Sequence, residues 1–371
     1  MLKSVPDNPH NFSLADTRKI VNDLFTPNPV IYWADFLFCD VVWTVCYAAV
    51  RYSPRVVPEI SWQRLFAQGV CFLVSCLLYY RVALFIHEIV HLRRGTFTVF
   101  RFVWNLLVGI PFLIPSFVYY THLDHHRRTH FGTAGDGEYI AFGGKAPRQM
   151  VFHLLLTFLI PILVIFRFMI LSPLTWCIPP LRRWVHQHAS SMIIDPNFVR
   201  PLPTRRVLRT IRLQEFMCFL WCWGIALIPP IFLDRWAVNF IIHAYCTAVF
   251  IIMLNAIRTL GTHRWRNTTR EEMTFVDQLL DSVNVPKRWF IGELWGPVGL
   301  RFHALHHLFP SMPYHSMPAA HRRLLEQLPA DSPYRRVNEN TLTASLVDLW
   351  RRSAAAAQQA KSTPVRPQPH S

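Results

Sequence analysis

The chain has 371 residues, 52% of them hydrophobic and only 16% charged, with a formal net charge of +16. So few charges exclude an ordinary soluble protein. Basic residues beside long apolar runs suit the cytoplasmic flanks of membrane helices, and no basic stretch forms a recognisable nucleic-acid module. The eight cysteines contain no C-x-x-C pair, which argues against a disulfide scaffold and a zinc finger.

In chain order, residues 1–30 read as a polar leader without a signal-peptide core. Segment 33–50 is the first spanning candidate, although it carries Asp35 and Asp40, and 66–86 is the second. A first histidine cluster, His87-Glu88-Ile-Val-His91, follows at once. Next comes the apolar stretch 97–120, interrupted by Pro111 and Pro115, and then a second cluster, His122-Leu-Asp-His125-His126. Segment 151–180 is apolar and proline-containing, and a basic stretch from Arg182 to Arg212 succeeds it. Segments 216–233 and 238–257 form a second spanning pair around the short turn Asp234-Arg235-Trp236, with Trp236 as an interfacial anchor. His263 emerges just beyond it. The third cluster is His303-Ala-Leu-His306-His307. Residues 311–352 read as a helical cap, and 353–371, rich in Ala, Gln and Pro, as a disordered tail.

The clusters carry the chemistry. In a helix, His303, His306 and His307 stand at i, i+3 and i+4 and point from one face; the second cluster repeats that spacing. Neutral imidazoles so arranged ligate iron, zinc or copper. Read alone, His87-Glu88-x-x-His91 is the zinc-protease signature with Glu88 as base, but a protease needs only that cluster. Eight imidazoles, or nine with His263, suffice for two metals. A site shared between clusters requires all of them on one side of the membrane. Stretches 97–120 and 151–180 are therefore expected to be re-entrant or interfacial, leaving four full crossings. Positive-inside reasoning places the clusters in the cytoplasm. Asp124, Asp136 and Glu138 are candidates to orient ligand imidazoles, as are Glu88 and His315 by position.

The three clusters and their order resemble the membrane fatty acid desaturase superfamily, which includes related hydroxylases and ketolases. The resemblance covers roughly residues 66–315. It implies an all-α integral membrane protein with four spans and a cytosolic cap. It also implies two iron ions (Fe2+/Fe3+) held by His87, His91, His122, His125, His126, His303, His306 and His307. His263 matches the position of a further family ligand. The implied activity uses O2 and two electrons to desaturate an unactivated acyl chain of a lipid. A lipid hydroxylase or ketolase is the nearest alternative, because the glutamate in H-E-x-x-H stands where many acyl desaturases have aspartate. A membrane zinc protease and a non-enzymatic heme or metal carrier are the rivals from other classes. No cytochrome b5 heme motif occurs, so a separate ferredoxin, cytochrome b5 or reductase is expected as donor.

Overall fold

The computed structural model describes residues 12–56, 59–232 and 238–362; the expected turn with Trp236 lies outside them. Among the described residues the regular elements are all helices, and β-pairing is confined to isolated bridges. The four expected spans appear as Pro29–Val56, Trp62–His91, Arg205–Phe232 and Val238–Thr262. All are long and apolar enough to cross a membrane, which takes about 20 residues. Their outward faces stay apolar: Val30, Phe38, Val45, Phe66 and Ile242 are all exposed, as side chains facing lipid would be.

The charges in the first span find partners. Asp35 takes a forked ion pair from Arg81 of the adjacent helix, and Asp40 accepts from Trp43 Nε1 at 3.0 Å. Pairing is how an ionised group is tolerated at this depth. The Pro29–Val56 and Trp62–His91 helices pack along their length. Tyr32, Phe36, Phe85, Phe100 and Trp104 fill the core beside them.

A fifth helix, Ile160–Cys177, has 18 residues and also qualifies as a span by length and composition. It lies inside 151–180. Its prolines do not break it, because Pro161 and Pro173 each fall in the first turn of a helical segment, where the missing N–H has no partner to lose. A π-turn at Arg167–Leu171 joins the two segments.

Stretch 97–120 is different. Its apolar helix, Thr98–Gly109, is too short to be a span. The chain then reverses, with Leu113 at φ 60°, and returns through the 3-10 turn Ser116–Tyr119. Asn105 clasps this hairpin: its amide donates to Arg101 O and Ser116 Oγ, and its carbonyl accepts from Ser116 N at 2.9 Å.

Beyond the spans, Val21, Leu279, Phe302, Leu305, Leu324 and Tyr334 form a second core. The leader contributes a helix here, Leu14–Ile20, capped by Ser13 and packed on Met317–Gln327. One expectation is corrected. Helix Leu342–Ser362 runs through the first ten residues of the supposedly disordered tail. Alanine and glutamine are good helix formers, and the helix is held by buried Leu349 and by Arg352 Nη1 donating to Arg264 O at 2.6 Å. Gly261 permits its approach, since a Cβ there would lie 2.3 Å from Leu342 Cδ1.

Candidate metal centre

The first two clusters and His263 each lie at the end of an apolar element. His87 and His91 end the Trp62–His91 helix one turn apart. The hairpin of 97–120 delivers the chain to the short helix His122–His125, and His263 directly follows Val238–Thr262. The third cluster does form a helix, His303–Leu308, nearly all of it buried. Asn284 fixes that helix by accepting from Leu305 N at 3.0 Å.

These elements bring nine imidazoles together in two groups. One comprises His87, His91, His122, His126 and His306; the other His125, His263, His303 and His307. Within each group one ring nitrogen per residue lies within 4.8 Å of all the others. The contacts are nitrogen to nitrogen. His122 Nε2 is 3.0 Å from His126 Nε2, which is 2.9 Å from His306 Nε2. In the other group, His303 Nε2 lies 2.8 Å from His263 Nε2 and 3.1 Å from His307 Nε2.

The donor set fits metal ions. His122 Nδ1 meets Glu138 at 2.9 Å and His125 Nδ1 meets Asp136 at 2.8 Å, so those nitrogens carry the proton and each Nε2 presents a lone pair inward. Lone pairs facing lone pairs repel unless a cation lies between them. Neither ring nitrogen of buried His87 has a hydrogen-bond partner, and His91 Nε2 has none. Burial pushes His122, His126, His303, His306 and His307 well below the ordinary imidazole range, keeping them neutral and able to ligate. Burial pushes His125 down as well, but the charge and hydrogen bond of Asp136, together with the Glu138 and Asp281 charges, outweigh it and raise that pKa. Burial pushes Glu138 up to about 8.

The candidate orienting residues divide. Asp136 and Glu138 reach cluster histidines. Asp124 instead pairs with Arg127 at 2.8 Å and lies 3.8 Å from the half-exposed His130. Glu88 turns away from the centre, accepting from the Tyr32 hydroxyl and, at 3.3 Å, from Tyr314 N. It thus ties the first cluster's helix to the chain after the third, and is not poised as a protease base. His315 accepts from Asn28 N at 3.1 Å and also stays outside both groups. Sequence reasoning missed Asp281, whose carboxylate lies 3.7 Å from His263 Nδ1. No local spacing relates the two; the pairing comes from the His263–Ser282 bridge.

Beside the centre opens a largely apolar cavity of ≈ 2090 Å³, walled by Phe112, Ile162, Phe168, Trp221, Ile225 and Ala248 among others. A second cavity of ≈ 20 Å³ is bounded by His87, His122, His125, His263 and His303. Tyr119, Glu138, Arg258 and Thr259 line both, and so form the partition between apolar space and histidines.

A model of the fatty acid desaturase family matches residues 64–338, which contain all nine histidines. The chain belongs to the fatty acid desaturase family. It is an oxygen-dependent oxidoreductase of the membrane. Among curated proteins, a ceramide hydroxylase of Caulobacter vibrioides (strain NA1000 / CB15N) is 38% identical over 347 residues, covering 93% of this chain and 95% of the relative. No solved structure matches. The match extends from ahead of the first cluster past the third, so it covers the histidine centre and the apolar helices from Trp62–His91 onward, but not the Pro29–Val56 helix.

Proposed function

We propose that the protein uses O2 to hydroxylate a methylene of a ceramide-type lipid at two iron ions held by the nine histidines. The two-group convergence of nine mostly buried imidazoles beside an apolar cavity carries the oxidative reading. The choice of hydroxylation is supported by the ceramide hydroxylase relative and by the glutamate in the first cluster. Bound iron would supply the redox chemistry that activates O2. The chain's own residues do the rest. Five imidazoles would hold one ion and four the other. Asp136 and Glu138 fix ring orientation, and Asp281 places its charge beside His263. The apolar cavity excludes water and holds the lipid chain against the partition, so that one methylene is presented. One oxygen atom enters the product; the other leaves as water, which consumes two protons and two electrons from a separate donor, a ferredoxin, cytochrome b5 or reductase.

Topology follows from the same convergence. His125 and His263 lie in one group, so the chain between them crosses an even number of times. The Arg205–Phe232 and Val238–Thr262 helices supply two crossings, which leaves Ile160–Cys177 to return on the side it entered. Four crossings result, with the histidines on the cytoplasmic side beside the arginines of 182–212.

Desaturation is the second reading, favoured by the family as a whole. Expression in a host of known lipid content, followed by mass spectrometry, separates the two. Hydroxylation adds one oxygen; desaturation removes two hydrogens. An unchanged lipid profile from protein carrying two irons and supplied with a reducing chain would overturn both.

A further inference from the structure

Arg258 is buried at 6% exposure, five residues before His263, in the partition between the two cavities. Of the other buried arginines, Arg167 pairs with Glu215 and Arg301 with Glu293, while Arg200 has no ion pair among the described residues and gives its donors to the Ser190 and Phe117 carbonyls. Arg258 likewise has no ion pair, but unlike Arg200 it faces both cavities. Its Nε and Nη2 reach Asn255 Oδ1 at 3.2 and 2.9 Å, and Nη2 reaches Thr259 Oγ1 at 3.2 Å; these acceptors are neutral. Among the described residues no carboxylate lies within ion-pair distance of it. Glu138, which shares the partition, is already held by His122. A guanidinium withdrawn from water without a counter-charge is costly, and a site that keeps one has a use for its remaining donor capacity.

From this the geometry points to Arg258 as the residue that binds the polar head of the lipid, taking an acceptor oxygen such as an amide carbonyl. The carboxyl group of Glu138, facing the same space, can accept from a hydroxyl beside it. A head with an acceptor and an adjacent hydroxyl matches this pair of groups. Because Arg258 also walls the histidine cavity, a head held there leaves only a few bonds to the nearest methylene at the centre. Oxidation therefore falls close to the head group and not in mid-chain. This deepens the hydroxylase reading and rests on it for the choice of lipid.

The test compares iron-loaded wild-type protein, Arg258→Gln and Arg258→Lys in detergent, binding three probes: a short-chain ceramide, a free fatty acid of equal length, and the matching alkane. Wild type should favour the ceramide over the alkane by about tenfold to a hundredfold, as charge-assisted hydrogen bonds imply. Arg258→Gln should lose that margin while retaining iron and alkane affinity, and any product it forms should be oxidised at scattered positions. Arg258→Lys should recover part of the margin. An undiminished ceramide margin in Arg258→Gln overturns the assignment. So does a wild-type preference for the fatty acid, or loss of iron in both variants, which would make Arg258 a support of the metal centre. Ceramide bound through Arg258 but never oxidised would sink the hydroxylase reading and leave the head-group site standing; hydroxylation with an undiminished margin would do the reverse.

Discussion

Asp136 shows how much of the centre depends on single side chains. Its Oδ2 holds His125 Nδ1 at 2.8 Å and accepts from Gly132 N at 3.0 Å, while Oδ1 accepts from Glu138 N at 2.9 Å. One carboxylate thus sets a ring and shapes the loop that carries the next orienting residue. Asp136→Asn keeps the shape but not the charge, and should weaken iron binding on the order of tenfold to a hundredfold, read by chelator competition. Asp124→Asn is the matched control: its partners are Arg127 and His130, so iron loading should not move and stability should shift by no more than about 0.5 kcal/mol. His306→Ala removes a member of the five-histidine group; iron should fall from two per chain toward one by elemental analysis, with product lost. The spacing of the histidines made them visible as candidates, because i, i+3 and i+4 periodicity is a local property. Their carboxylate partners were only half visible. Asp136 and Glu138 are close in sequence to the cluster they serve, whereas Asp281 reaches His263 through a bridge that no periodicity records.

Elements tell the same story through their ends. The bend in 97–120 was legible from its prolines and from the need to return the chain, but the residue that closes it, Asn105, was not singled out. Asn105→Ala would leave Ser116 N unpaired in a part-buried setting and should cost about 1–3 kcal/mol, read as a lower midpoint of thermal unfolding in detergent. In the cap, the terminal helix escaped a compositional reading because Ala and Gln suit both a disordered tail and a docked helix; what decides is Leu349 and the groove opened by Gly261, both tertiary facts. The cap also carries a pH dependence. His321 accepts from the Tyr334 hydroxyl at 2.8 Å, and burial, aided by the Arg301 charge, pushes its pKa down to about 4. The folded state therefore binds fewer protons than the unfolded state between roughly pH 6.5 and 4. The contribution is whole above that window and is lost as pH falls through it, amounting to about 3 kcal/mol at its lower end. His321→Gln, which can still accept from Tyr334, should lose less stability than wild type between neutral and acid pH in paired unfolding measurements. Parallel curves for the two proteins would remove His321 as the cause.

For the whole molecule, length and hydropathy conflict with the site, and the site decides. Five helices have the dimensions of a span, yet an odd number of crossings between His125 and His263 would place those rings on opposite faces of the bilayer. Their Nε2 atoms are 3.3 Å apart. In the proposed four-crossing topology the helix that yields is Ile160–Cys177, the shortest of the five, whose buried Arg167 is neutralised by Glu215 while Arg182, just past its end, binds the same carboxylate at 2.7 Å. That polar anchor suits a helix lying along the interface better than one whose centre sits in hydrocarbon. Arg148 and Arg183 flank the segment and both are exposed. A single cysteine at either place, in a background lacking the native cysteines, should react with a membrane-impermeant maleimide only when the cytoplasmic face is open, as in inverted vesicles. Labelling of Arg148→Cys from one side and Arg183→Cys from the other would mean that the segment crosses. The histidines could then meet only if another helix of the set did not, and the four-crossing arrangement would have to be redrawn.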